Sequence, residues 1–193
     1  MNNIIYNTLA IAILFGFSSC SSYEIYPKDN SEELNREKFK SNKEMKDALF
    51  LVKAAEIYLE EINLAKHAQQ NGTTSAIKEL AKTMEQDNQI SLIELTSLAK
   101  SKNVTIPSTI TDQGDEAFKL LDEKAGDEFD ETYANLMVEK HKVAIEIFER
   151  ASKRSRDLQI QEWATIKLVV LRKGLAEAKI CAEEYEREYL TRD

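Results

Sequence analysis

Polar side chains interrupt the apolar stripes of several helical segments in this sequence. Asp87 and Asn88 stand where the stripe of the second long helix requires a core residue, and His141 does so on the fourth helix. Glu61 lies at the edge of the first stripe, and Asp130 on the fourth helix is grouped with them. A buried polar group destabilises a fold unless it is paired. We therefore expect these residues to form a polar cluster inside the protein.

Two kinds of chemistry fit such a cluster. The first is a buried hydrogen-bond network with a structural role, which is the more common outcome for one histidine among carboxylates. The second is a weak divalent metal site that uses Glu61, Asp87 and His141, since inward-facing carboxylates and histidines build the metal sites of helical bundles. We expect no cofactor, with a divalent metal as the alternative.

Composition excludes several other classes of site. The 193 residues include two histidines and two cysteines, so neither a three-histidine metal site nor a four-cysteine zinc site is possible. The net charge of −8 offers no electrostatic footprint for nucleic acid. The sequence contains no glycine-rich phosphate loop and no G-x-S-x-G, C-x-x-C or H-E-x-x-H motif. We therefore expect a protein that is not an enzyme, with His67 at the surface and Cys181 in the core.

The elements that position these residues are helices. From about residue 31, apolar residues recur at spacings of three and four, and alternation typical of strands is absent. Asn71-Gly72 separates the first two long helices, with Thr73 or Thr74 as the next cap. A short helix follows at about 112–124, with Thr111 as its cap and Gly126 as its stop.

This pattern predicts an all-α fold, an antiparallel bundle of four main helices with one extra short helix, in a single domain over residues 43–190. The last helix begins near Asp157, and residues 163–171 are apolar on more than one face. We therefore expect that segment to be the most enclosed part of the bundle.

The N-terminus resembles the signal of a bacterial lipoprotein. Residues 4–17 are uncharged and mostly apolar, too short to span a bilayer comfortably, and are followed by Ser18-Ser19-Cys20. This predicts a secretion signal over 1–19, an acylated Cys20, and a polar tether over 20–42. Phe17 stands where leucine is usual, and Met1-Asn2-Asn3 lacks a basic residue. An uncleaved anchor or a buried first helix is the alternative.

Five segments in this order resemble domain of unknown function 4142, a family of ferritin-like bacterial envelope proteins. The segments are Phe50 with Ala54-Ala55 and Glu61, ELAKTMEQDN at 79–88, LTSLAKSKNVTIP at 95–107, FDETYANLMVEKH at 129–141, and LVVLRKGLAEA at 168–178. The resemblance implies a ferritin-like bundle in the cell envelope.

The chain departs from the family pattern where the family carries histidines. Asn88 and Gly174 occupy two histidine positions, and His141 keeps the third. Lys140 stands where an acid is usual, which disfavours a bound cation beside His141. The resemblance therefore implies a polar centre that has lost most of its metal-binding capacity.

These observations lead to two hypotheses. The first is an extracytoplasmic lipoprotein held at a bacterial membrane by Cys20, for which we expect the outer membrane, with a helical module that binds an unidentified protein or small molecule or has a structural role. The alternative is a ferritin-like metal-binding or redox protein that uses Glu61, Asp87 and His141.

Overall fold

The computed structural model describes residues 30–192, which form six helices. Two are short and four are long: α1 (Ser31–Lys38), α2 (Asn42–Asn71), α3 (Ser75–Ser101), α4 (Asp112–Asp122), α5 (Gly126–Arg154) and α6 (Leu158–Arg192). Within this part of the chain there is no strand, which confirms the predicted all-α class. The predicted signal at 1–19 and the lipidation site Cys20 lie outside the described residues.

Local sequence signals set most of the helix boundaries. Thr74 caps α3 by accepting a hydrogen bond from the backbone N–H of Ile77, and Thr111 caps α4 in the same way. The break after Asn71 is where the sequence predicts it. Gly126 does not end the short helix, because α4 already stops at Asp122. Instead Gly126 is the first residue of α5, with a φ of 62° that a residue with a Cβ adopts with strain.

Contacts between helices define the topology. α2 runs antiparallel to α3 and α5, and α6 runs antiparallel to α3 and α5. For α2 and α5, the pairs are Tyr58 with Phe148 and, just after the end of α2, Thr73 with Asp130. For α3 and α6, the pairs are Glu94 with Lys167 and Asp87 with Lys173. α3 and α5 therefore point the same way, and one long crossover must join them, as in ferritin-like bundles.

The crossover contains α4, which lies along α2. The Nε2 atom of His67 on α2 lies 3.2 Å from an Asp122 carboxylate oxygen, and the ring of Phe118 packs 4.5 Å from the His67 ring. His67 is therefore covered by the crossover, and its predicted position in solvent was wrong.

Residues 31–38 form α1, whereas the sequence predicts a polar tether over 20–42. The Asn35 side chain is fully buried, donates a hydrogen bond of 2.7 Å to the backbone oxygen of Thr105, and accepts one from its N–H. This pair of hydrogen bonds holds α1 against the loop that follows α3. The buried Asn35 amide thus fixes the polar segment 31–38 to the bundle, and the apolar periodicity of the sequence does not reveal this residue.

The core has an aromatic half and a mixed half. Phe50, Tyr58, Phe148 and Trp163 pack with ring centroids 5.1–6.3 Å apart at the end where α2 begins. The other half contains Phe129, Tyr133, two methionines and Cys181 among its buried residues. Cys181 is a buried free thiol, as predicted.

The middle of α6 is not the enclosed segment that the sequence predicts. Ile166 and Val169 are 54% and 69% exposed. They lie on the outer side of α6, while Trp163, Leu168 and Leu171 face the core. Among residues 30–192, no helix is both long enough and apolar enough to cross a membrane.

Candidate functional site

Three of the predicted cluster residues meet at the centre of the bundle, between the two halves of the core. Glu61 on α2, Asn88 on α3 and His141 on α5 are 0%, 5% and 3% exposed. The Asn88 side-chain amide donates a 2.8 Å hydrogen bond to Glu61 Oε2. His141 Nδ1 lies 3.7 Å from Glu61 Oε1. The structure thus brings Glu61, Asn88 and His141 together.

The orientation of His141 is set by its own helix. Its Nδ1 lies 3.0 Å from the backbone oxygen of Met137, one turn earlier. Because a carbonyl oxygen only accepts, Nδ1 carries a hydrogen and donates it there. Nδ1 therefore makes no hydrogen bond with Glu61, and the Nε2 edge of the ring faces α6.

Gly174 on α6 makes room for that edge. A Cβ at this position would come 2.5 Å from His141 Nε2 and 2.9 Å from its Cδ2. A Cβ atom essentially never comes this close to another heavy atom, so any side chain at position 174 would displace the His141 ring. The glycine and the remaining histidine are thus sterically matched.

Buried polar atoms near the centre lack hydrogen-bond partners. They are Glu61 Oε1 and the hydroxyls of Tyr58 and Tyr133. Burial, reinforced by the negative charge of Glu61, raises the pKa of Tyr133 well above its usual value, so its phenol stays neutral. Burial is also the largest cause of the raised pKa of Tyr58. The centre is therefore a partly satisfied network, which is costly for stability.

A small cavity of about 10 Å³ opens beside the cluster. Its lining includes Asn88, Ser91, His141 and the aliphatic part of α6 around Gly174. That volume is at the lower limit for a single water molecule. Lys167 also lines the cavity, but its ammonium group makes an ion pair with Glu94. The arrangement has space for a water molecule, but none for an organic substrate.

Asp87 does not join the cluster, which corrects the prediction. Its carboxylate lies 3.3 Å from Lys173 Nζ on the outer side of the contact between α3 and α6. Successive residues of a helix point about 100° apart, and Asn88 rather than Asp87 faces inward. Of the predicted metal ligands, Glu61 and His141 are buried at the centre, whereas Asp87 lines the small cavity beside His141 while its carboxylate pairs with Lys173. Within the described residues, no group of three or more His, Cys, Asp or Glu side chains is arranged to hold a metal ion.

Lys140 is also directed away from His141. Its ammonium group makes an ion pair with Glu60, which lies beside Glu61 on α2. The positive charge that the sequence places next to the histidine is therefore neutralised outside the cluster.

Asp130 is buried but belongs to a different site, so its place in the central cluster was also wrong. It is 0% exposed and lies at the end of the bundle where α2 turns into α3. It accepts five hydrogen bonds of 2.7–2.9 Å, from the N–H and hydroxyl groups of Thr73 and Thr74 and from the hydroxyl of Tyr185. We call these four residues the Asp130 hub.

The sequence alone does not reveal the tyrosines of the central cluster and of the Asp130 hub. Tyr58, Tyr133 and Tyr185 carry no local sequence signal that marks them as members of a polar site. The one available signal is that Thr73 and Thr74 form a pair of hydroxyl residues at a turn. Such a pair can donate hydrogen bonds to a buried acceptor, which here is Asp130.

Comparison with known proteins agrees with this fold. Residues 34–180 match the family model described as Domain of unknown function (DUF4142). No curated protein is significantly similar to the chain in sequence. The crystal structure of a DUF305 fragment from Deinococcus radiodurans has a TM-score of 0.65 and 10% identity, covering 72% of this chain and 96% of the fragment. At that identity the likeness concerns the fold alone.

Proposed function

The chain belongs to the family described as Domain of unknown function (DUF4142), and we propose that it is a bacterial envelope lipoprotein whose helical bundle is a non-enzymatic binding or structural module. The family description assigns no reaction. The proposal therefore depends on the chain's own site and N-terminus.

The closed centre of the bundle is the observation that supports the proposal of a non-enzymatic module. Glu61, Asn88 and His141 are enclosed on every side by the four long helices, and the adjacent cavity is about 10 Å³. Substrate sites are clefts of roughly 300–1,000 Å³. The cluster therefore has no access for a substrate, and we assign it a structural role in holding the four helices in register.

The anchoring part is supported by the sequence before the bundle. The apolar run at 4–17 and Ser18-Ser19-Cys20 have the order and spacing of a lipoprotein signal. Triacylation of Cys20 would exceed the two-signal requirement for stable anchoring. We propose the outer membrane as the location, on the basis of the family resemblance.

The test of anchoring is metabolic labelling of the full chain with a palmitate analogue, followed by membrane fractionation. Wild type should be labelled and recovered with membranes, whereas Cys20→Ala should lose the label and either remain as precursor or leave the membrane fraction. Cys181→Ala is the matched control, because Cys181 is a buried core thiol, and it should be labelled like wild type. Mature-size Cys20→Ala in the membrane fraction would contradict the proposal.

One observation favours a second candidate, a metal-binding protein of ferritin-like architecture. Glu61 Oε1 has no hydrogen-bond partner and lies 3.7 Å from His141 Nδ1. A divalent ion would satisfy that oxygen, but His141 Nδ1 donates its hydrogen to the Met137 backbone oxygen and would have to lose it to become a ligand. Within residues 30–192, no third His, Cys, Asp or Glu side chain completes the site. Metal analysis separates the two candidates.

A further inference from the structure

A groove between the start of α2 and the end of α5 has a charge opposite to that of the whole chain. It has a volume of about 730 Å³. We call it the basic groove and define it by the six basic side chains that line it: Lys43, Lys46, Lys53, Arg150, Arg154 and Arg156. One acidic residue, Asp47, lines it as well. In a chain with a net charge of −8, this concentration points to an anionic ligand.

Most of these charges are not used inside the fold. Lys53 makes an ion pair with Glu56 at 2.8 Å. The other five basic residues of the groove make no side-chain ion pair or hydrogen bond within residues 30–192. Unpaired arginines and lysines that face one groove repel one another, so the fold alone does not explain them.

Helix electrostatics makes the lysines the more informative part of the groove. Arg154 is in the last turn of α5, where a cation interacts favourably with the helix dipole. Lys43 is in the first turn of α2 and Lys46 lies just after it, at the end where a cation is unfavourable. A lysine at an unfavourable helix position that has no partner inside the fold is a candidate for a functional role.

The floor of the groove is apolar. It is formed by Leu49 and Phe50 of α2 and by Ile147 and Ala151 of α5. Phe50 in turn packs on Phe148 in the aromatic half of the core. A ligand that fits both parts carries a phosphate for the guanidinium and ammonium groups and hydrocarbon for the floor. These are the two parts of a phospholipid.

We propose that the basic groove binds the headgroup region of anionic phospholipids at the membrane surface. This inference rests on the proposed anchoring. The groove is at the end of the bundle where α1 and α2 begin, since α1 is fixed to the loop after α3 by Asn35 and Thr105. Cys20 precedes Asn30 by ten residues, which span at most about 35 Å when extended. An acylated Cys20 would therefore keep this end near the bilayer.

The test is cosedimentation of the chain from residue 20 onward, the predicted mature form, with lipid vesicles. Every variant carries Cys20→Ala, so that neither acylation nor the apolar run at 4–17 contributes. The vesicles contain either equal parts of phosphatidylglycerol and phosphatidylcholine or phosphatidylcholine alone. Each basic residue near an anionic surface strengthens binding roughly fivefold, so Arg150→Gln with Arg154→Gln should weaken binding to the anionic vesicles on the order of 25-fold. Higher salt should weaken it further.

The matched control is Lys78→Gln with Lys179→Gln. Both lysines are exposed and outside the groove, near the opposite end of the bundle. This variant has the same net charge as the arginine variant and should bind like the parent. Equal weakening by both variants would show that only net charge matters and would overturn the groove as the site.

A second groove variant guards against misfolding. Lys43→Gln with Lys46→Gln should weaken binding to a similar extent without lowering the unfolding temperature, because it removes cations from the start of a helix. Equal binding to phosphatidylcholine alone would assign the interaction to apolar contacts and overturn the proposal. So would binding of inorganic phosphate or an acidic peptide without binding to the anionic vesicles. Failure of palmitate labelling with intact vesicle binding would count against the lipoprotein alone.

Discussion

The molecule contains two fully buried carboxylates with opposite surroundings. Asp130 accepts five hydrogen bonds from the turn between α2 and α3 and from α6. Glu61 accepts one, from Asn88, and its second oxygen has no partner. Both side chains are 0% exposed. Burial is therefore the same, and the number of donors distinguishes them.

The difference shows which of the two is required by the fold. A buried carboxylate surrounded by donors is stabilised in its charged form, while one with a single donor is stabilised much less. Asp130 is therefore a structural anchor of the α2–α3 turn. Glu61 has a single donor, so the fold depends less on its carboxylate.

The largest expected effect is that of Asp130→Asn. An amide group would turn donors toward the donors of Thr73, Thr74 and Tyr185. The free energy of unfolding should fall by roughly 2–4 kcal/mol, measured by urea denaturation with circular dichroism. Asp122→Asn is the control, since that side chain is 61% exposed, and it should change stability by no more than about 0.5 kcal/mol. Equal effects of the two substitutions would remove the special role of the Asp130 hub.

The next effect concerns the helical glycines. Gly174→Ala should destabilise the protein by roughly 1–3 kcal/mol, because the new Cβ would collide with the His141 ring. In contrast, Gly114→Ala in α4 should be neutral or stabilising, since its Cβ would make ordinary contacts of 3.4 Å or more. Combining Gly174→Ala with His141→Ala should recover part of the loss. Additive losses in this double-mutant cycle would show that the ring and the glycine are not matched.

Acid should weaken the Asp130 hub. Burial alone would raise the pKa of Asp130, but the hydrogen bonds from Tyr185, Thr73 and Thr74 lower it on balance. A depressed folded-state pKa stabilises the protein above the unfolded value of about 4, and this contribution is lost as pH falls through the folded value. Unfolding temperatures should be measured from roughly pH 6 to roughly pH 3, a range that includes the unfolded pKa of about 4. They should fall less steeply for Asp130→Asn than for wild type. Parallel curves would contradict this assignment.

The smallest effect is expected for Glu61→Gln, the same carboxylate-to-amide change at the other site. It replaces a buried carboxyl group that has one donor and retains an oxygen for Asn88. Stability should change by no more than about 1 kcal/mol, toward the more stable side, in the same urea experiment. A loss of stability as large as that of Asp130→Asn would show that the Glu61 carboxylate is as important to the fold as that of Asp130.

Periodicity was sufficient to predict the helices, because a stripe of apolar residues at spacings of three and four must face a core. It placed the four long helices correctly, the local sequence placed the cap at Thr111, and Thr74 is one of the two caps that the sequence allowed for α3. It failed at Ile166 and Val169, because an apolar residue is not obliged to be buried. The helical pattern begins near residue 31, but the polar composition led us to assign residues 20–42 to a tether. A single buried amide, Asn35, holds α1 in place.

The candidate site was harder to predict, because polar residues were assigned by their position on a stripe. Asp87 and Asn88 are neighbours about 100° apart, and the stripe alone did not decide which of them faces inward. His67 is covered by the crossover, whose path the sequence does not define. Asp130 shares α5 with His141, yet three helical turns separate them, so they belong to different sites.

The most direct test of a structural centre is the metal content of the full chain purified without chelator, measured together with its unfolding temperature in added Zn²⁺, Mn²⁺ or Fe²⁺. Within residues 30–192, no group of three or more potential ligands surrounds Glu61 and His141. A structural role therefore predicts no stoichiometric transition metal and no rise in unfolding temperature. One metal ion per chain that is lost in His141→Ala, with stabilisation of wild type by the same ion, would contradict it.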